Sequence, residues 1–233
     1  MVERCPEKAG VRSSILLLGT ILFKMAKNIL ELLKRQYPAA TTALQFRDPL
    51  EILVATILSA QCTDKRVNIV TQPLFKKYRT AKDYAGANLK ELELQIRSTG
   101  FYRNKARNII GAAKMIVSEF GGRVPDSMAE LVRLPGVARK TANIVLSHGF
   151  NKTEGIAVDT HARRVSGRLG LTKNDDPVKI EQDLMKTFDR KDWVHLSDLL
   201  IAHGRAVCIA RKPKCLECIL RKLCPSKKIF YPA

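Results

Sequence analysis

The chain has 233 residues, enough for one large domain or two small ones, and 45% of them are hydrophobic, so it can bury a core of its own. Its 41 Lys and Arg against 22 Asp and Glu leave a net charge of +19, a field that only a polyanion rewards: nucleic acid or an acidic membrane. No long linker or low-complexity tract interrupts it, and nothing points to an oxidising, disulfide-built protein.

In chain order, the first element is a short apolar run, Ser13 to Phe23, preceded by Arg4, Lys8 and Arg12. Basic start and apolar middle have the shape of a weak export signal, but the run is too short to span a bilayer. Met25 opens an amphipathic stretch, MAKNILELLKRQY, and translation from Met25, or a local extension over residues 1–24, is the preferred reading. Leu50, Leu53, Val54, Ile57 and Leu58 follow the i, i+3, i+4, i+7 spacing of a buried helical face. LSAQCTD follows at 58–64, where Gln61 taken alone reads as a buried amide in a helix–helix turn. Asn88 with Glu91, and Ser127 with Glu130, read as capping boxes around a longer helical pattern from Ala106 to Phe120.

Residues 131–142 read LVRLPGVARKTA. Leu131, Leu134 and Val137 are apolar, Pro135-Gly136 makes a tight turn, and Lys140 lies one turn into the helix that follows. Such a helix–hairpin–helix presents backbone N–H groups at a helix N-terminus, which can hold a phosphate without reading sequence. A lysine amine becomes a nucleophile through desolvation or nearby positive charge, and Arg139 and the helix N-terminus supply positive potential. The bland reading is a bundle corner with a solvated lysine. IAVDTH at 156–161 delivers Asp159 to the start of a basic helix carrying Arg163, Arg164 and Arg168. Asp159 can cap that helix, and a carboxylate there can also relay protons. Asp176-Pro177 reads as N-cap and first helical residue. Leu196, Leu199, Leu200, His203 and Val207 repeat the helical period, with His203 and Trp193 as core residues.

Four of the six cysteines close the pattern: Cys208, Cys215, Cys218 and Cys224, spaced Cys-x6-Cys-x2-Cys-x5-Cys, far from Cys5 and Cys62. Sulfur-only ligation means an iron–sulfur cluster or structural zinc. Zinc more often pairs two Cys-x2-Cys knuckles, and here there is one. With no alternating strand pair, the fold class is all-α, of about ten helices at typical lengths.

Taken together, LSAQCTD, TGFYRNKA, LPGVARKTAN, VDTH and HGRAVCIARKPKCLECILRKLC, in that order over residues 25–225, resemble the endonuclease III family, iron–sulfur DNA glycosylases of base-excision repair. The resemblance implies two helical lobes with DNA in the cleft between them. One is a six-helix barrel with the hairpin, residues 42–152. The other is the cluster lobe, residues 25–41 plus 153–233, and residues 1–24 are an extension. It implies a [4Fe–4S] cluster on Cys208, Cys215, Cys218 and Cys224. Lys140 takes the place of the lysine that attacks the sugar C1′ and forms a Schiff base, and Asp159 that of the aspartate assisting base departure.

Gln61 matches the residue that fills the gap left by the flipped nucleotide, and Phe101 stands where the family often has a leucine wedge. The implied DNA contacts also include Leu134, Gly136, Ala138 and Arg139 of the hairpin, His161, and Arg211, Lys212 and Lys214 of the cysteine loop. The expected partner is double-stranded DNA with oxidised pyrimidines or abasic sites, nicked by β-elimination, and no membrane. The expected protein is a monomer, cytoplasmic and nucleoid-associated if prokaryotic. Two positions depart from the family pattern. Ala138 replaces the hairpin's second glycine and is read as beginning the second helix, and Phe101 is bulkier than leucine. Two other readings stand beside this one: a monofunctional mismatch glycosylase, whose relatives tend to lack the lysine, and a non-catalytic DNA-binding cluster protein, which would not need Lys140 and Asp159 together.

Overall fold

Every regular element in the described part of the computed structural model, residues 23–231, is helical. The apolar run before Phe23 and the reading of residues 1–24 as an extension fall almost wholly outside the described residues. Helix α1 covers 23–36, so Phe23 and Lys24 are already helical ahead of Met25. There follow α2 (Pro49–Ser59), α3 (Asp64–Lys77), α4 (Ala81–Ala85), α5 (Leu89–Ile96) and α6 (Tyr102–Glu119). Then come α7 (Met128–Leu131), α8 (Arg139–Ile144), α9 (Thr160–Arg168), α10 (Pro177–Thr187), α11 (Trp193–Ala206) and α12 (Lys227–Phe230). Single turns of 3₁₀-helix at Arg97–Thr99 and Arg190–Asp192 and a π-helical turn at Val145–Gly149 complete the set.

The chain divides into two compact units, one formed by the residues up to Thr41 together with those from Val158 onward, the other by Thr42–Ala157. In the second unit α2 is the central element: every residue from Glu51 to Leu58 is buried. Its only buried charge, Glu51, is held by Arg47 through the backbone N–H at 2.7 Å and Nε at 2.9 Å. Helix α6 packs against α2, α4 and α5, and the π-helical turn lies on α2, where a side chain at Gly149 would meet Ile52 at 3.1 Å. In the other unit α11 packs on α9. Gly204 permits the approach, because a Cβ there would stand 2.9 Å from His161.

Helix starts follow local chemistry. Asp48 accepts from Leu50 and Glu51 N–H ahead of Pro49, and Asp176 from Val178 and Lys179 ahead of Pro177. Asn88 caps α5 through Glu91 N–H, but the Glu91 carboxylate turns to Lys77, so only half of the expected box forms. Ser127 accepts from Glu130 N–H at 3.4 Å and donates to the Glu130 carboxylate at 2.7 Å. The complete capping box is at Thr80 and Asp83.

The Asp83 carboxylate accepts from Thr80 N–H at 2.8 Å and Arg79 N–H at 2.9 Å, and these bonds hold its pKa below the usual carboxylate range. Its stabilisation is therefore full above the unfolded value of about 3.9 and disappears as pH falls through the lower folded value. Asp83→Asn, which keeps the acceptor and drops the charge, should lose roughly 0.5 kcal/mol at pH 7, and the difference from wild type should vanish in urea titrations at progressively acid pH.

Candidate active site and metal centre

The hairpin is built on α6. Leu134 and Val137 are buried, 2% and 6% exposed, and the turn closes through Val137 N–H to the Leu134 carbonyl at 3.1 Å. Gly136 sits at φ +79°, and a Cβ there would stand 2.7 Å from the Asn108 side chain. Leu134 can thus meet a ligand only through its main chain. Ala138 is the N-cap of α8 with extended backbone, φ −91°, so it precedes the helix rather than beginning it and needs no left-handed geometry. Alanine has no capping oxygen, so the N-cap of α8 makes no side-chain cap hydrogen bond. Lys140, at the second position of the helix, is exposed, and its amine has no hydrogen-bond or ion-pair partner among the described residues.

Asp159, in the first unit, is the N-cap of α9. Its Oδ1 accepts both capping bonds, from His161 N–H at 2.8 Å and Ala162 N–H at 2.7 Å. Oδ2 has no partner among the described residues, so capping leaves one oxygen of the carboxylate unengaged. The side chain is half-buried. His161 Nδ1 lies 3.1 Å from Arg164 Nη2 and can only accept from a guanidinium.

Gln61 and Phe101 share a property absent from the sequence reading. Both have left-handed backbone, φ +53° and +47°, and both are exposed, Phe101 to 63%. The buried-amide reading of Gln61 is overturned: helix α2 ends at Ser59, and the reversal after it lifts the amide to the surface.

Cys208, Cys215, Cys218 and Cys224 all line one cavity, and they and Cys62 are free thiols. Burial pushes the thiols of Cys215, Cys218 and Cys224 up, and the negative charge of a Cys208 thiolate adds to it. Among the described residues no three Cys, His, Asp or Glu side chains converge as ligands of one metal ion do. Four sulfurs around one cavity fit a sulfur-ligated metal centre. Two arginines read only as part of a basic helix hold this segment. Arg168 donates to Cys208 Sγ (3.4 Å) and to the carbonyls of Ile209 (2.8 Å) and Ala210 (2.9 Å), beneath the Phe230 ring. Arg164 donates to the carbonyls of Gly204 (2.8 Å) and Cys208 (3.0 Å). Their i, i+4 spacing on α9 is the signal that could have found them. Buried His203, its pKa lowered to about 4 by burial, stands between Tyr37 Oη at 3.1 Å and Cys218 Sγ at 3.5 Å. Arg211, Lys212 and Lys214 are all exposed, and Trp193 is half-buried, donating to the Phe188 carbonyl at 2.8 Å. No helix among the described residues is long and apolar enough to cross a membrane.

A lysine-bearing helix–hairpin–helix is the mark of one class of protein. The profile of the HhH-GPD superfamily of base excision DNA repair proteins matches residues 54–190. Endonuclease III of Synechocystis sp. is 55% identical over 215 residues, 90% of this chain and 98% of its own length. Endonuclease III of Bacillus subtilis is 48% identical over 189 residues, 81% and 86% of the two chains. A solved structure of a non-covalent endonuclease III–DNA complex superposes with TM-score 0.85 at 44% identity, covering 89% of this chain and 97% of that one. A trapped endonuclease III–DNA covalent intermediate matches to the same degree. This chain therefore belongs to the endonuclease III family.

Gly136→Ala should destabilise the hairpin by about 1–2 kcal/mol, through its positive φ and the Asn108 contact, in urea unfolding monitored by circular dichroism.

Proposed function

We propose that this protein is a bifunctional DNA glycosylase and AP lyase of base-excision repair, acting on double-stranded DNA with oxidised pyrimidines or abasic sites. The observation that carries the reading is the partnerless amine of Lys140 behind an uncapped hairpin, in a chain 44% identical to a protein solved as a covalent DNA intermediate. Backbone N–H groups of the hairpin hold a backbone phosphate, and Arg139, Arg211, Lys212 and Lys214 add sequence-independent attraction. The target nucleotide leaves the stack because its sugar carbon is unreachable inside it, with Gln61 and Phe101 entering the space it vacates.

Lys140 then attacks C1′. The C1′–N bond breaks, the base departs with a proton, and the sugar opens to a Schiff base on the lysine nitrogen. Loss of a C2′ proton expels the 3′ phosphate by β-elimination, and water releases the lysine. Asp159 has a free oxygen for these transfers and a negative charge to set against the positive charge developing on the sugar. Cys208, Cys215, Cys218 and Cys224 would hold a [4Fe–4S] cluster, which when bound supplies the cross-links that shape the loop carrying Arg211, Lys212 and Lys214. Reduced cysteines and a DNA partner fit the cytoplasm. A mismatch-specific monofunctional enzyme would have no use for Lys140, and a non-catalytic cluster protein would not need Lys140 and Asp159 together.

Borohydride trapping on a thymine-glycol duplex tests this reading. A covalent adduct is expected from wild type and none from Lys140→Ala. Asp159→Asn, which still caps α9, should fold normally and release base roughly 10²-fold or more slowly. No adduct from wild-type protein would end the lyase assignment. Elemental analysis should find about four irons and four sulfides per chain, both lost in Cys218→Ser; zinc without iron would refute the cluster.

A further inference from the structure

Lys105 is the one buried lysine among the described residues, 4% exposed, and the chemistry above does not use it. Its Nζ donates to the Leu58 carbonyl and to the Thr99 carbonyl, both at 2.8 Å. Leu58 is in the last turn of α2, where carbonyls have lost their helical partners and the helix dipole favours a cation. Gln61 stands three residues beyond it. Thr99 ends the 3₁₀ turn, and Phe101 stands two residues beyond it, after Gly100 at φ +70°. The same ammonium is tied back to Phe101 through the main chain, since Lys105 N–H donates to the Phe101 carbonyl at 3.1 Å. Burial lowers the Lys105 pKa, the charge of a Cys62 thiolate opposing it, so only strong acceptors justify its place here.

Left-handed backbone at a non-glycine residue is unfavourable by about 1–2 kcal/mol and persists only where the surroundings over-determine it. Gln61 and Phe101 are two such residues on separate loops, and one buried cation joins the roots of both. We propose that Lys105 is a positioning residue that clamps these two loops together, so that Gln61 and Phe101 are preset as a pair for insertion into duplex DNA. Preset side chains avoid paying ordering entropy at the moment of insertion. The inference rests on the insertion role given above to Gln61 and Phe101. It separates Lys105 from lysines that merely attract phosphate, because its ammonium faces inward and is satisfied by the protein's own carbonyls.

Single-stranded abasic DNA needs no nucleotide extruded from a stack, so it isolates the chemistry from the insertion. The test is borohydride trapping by cluster-loaded full-length protein on abasic duplex and on abasic single strand, with circular dichroism melting in parallel. For Lys105→Met the duplex rate should fall at least about tenfold, the loss of one charge-assisted hydrogen bond, while the single-strand rate stays within about twofold of wild type. Adding Gln61→Ala to Lys105→Met should lower the duplex rate by much less than it does in wild type, because both changes remove the same preset element. An equal fall on both substrates, an unchanged duplex rate, or full additivity with Gln61→Ala overturns the proposal. Lys105→Gln, which keeps a donor without the reach to both carbonyls, replaces Lys105→Met if that variant does not fold, and an unchanged duplex-to-single-strand ratio in it is equally fatal. Wild type that traps neither substrate would overturn the lyase reading itself, and the clamp with it.

Discussion

An all-helical chain leaves unpaired N–H groups at the start of every helix and unpaired carbonyls at its end, and most of what matters in this protein happens at those ends. At α9 the orphan donors are met by Asp159, whose second oxygen is thereby left oriented and free. At α8 the N-cap residue supplies no side-chain cap, because it is alanine. At α2 an orphan carbonyl is met by a buried ammonium, and at α11 by the guanidinium of Arg164. One backbone requirement thus yields a fixed carboxylate and two buried or half-buried cations held in place by main chain.

The cysteine segment follows the same logic without regular structure. Between Cys208 and Cys224 the backbone makes only short turns, so its carbonyls need outside donors. Arg168 and Arg164 provide them from α9, and Arg168 also reaches a sulfur. A guanidinium against the cysteines is what a sulfur-ligated centre requires of its surroundings, because its ligands are thiolates and carry negative charge. Arg211, Lys212 and Lys214 are exposed while these two half-buried arginines do the holding.

Ala138 and Phe101 mark how far family likeness and geometry diverge. Alanine in place of glycine is harmless at position 138 because the backbone there is extended, and the left-handed turn falls two residues earlier, at Gly136. Phenylalanine at 101 does adopt the left-handed conformation, and it does so next to a glycine that could have taken the turn alone. Strain placed on a large, exposed aromatic side chain marks a residue held for use rather than for packing.

Much was legible in the chain itself. Apolar spacing over 50–58, 106–120 and 196–207 gave α2, α6 and α11, because a helix that buries one face must repeat every three to four residues. Asp48, Asn88, Ser127 and Asp176 act within three residues of themselves, and so the helix starts were open to local reading where they were sought. The cysteine spacing, the hairpin turn and Lys140 could be named for the same reason: each is a short-range pattern. What the sequence could not disclose was every bond across a long separation. Lys105 to Leu58 and Arg168 to Ile209 join residues about forty positions apart, and a lysine or arginine carries no mark of whether it will face water or a carbonyl. The sequence by itself determined where the long amphipathic helices run and which residues can do chemistry; only the tertiary structure decided which charges are turned inward, because burial is set by whatever packs on a side chain and not by its neighbours in the chain.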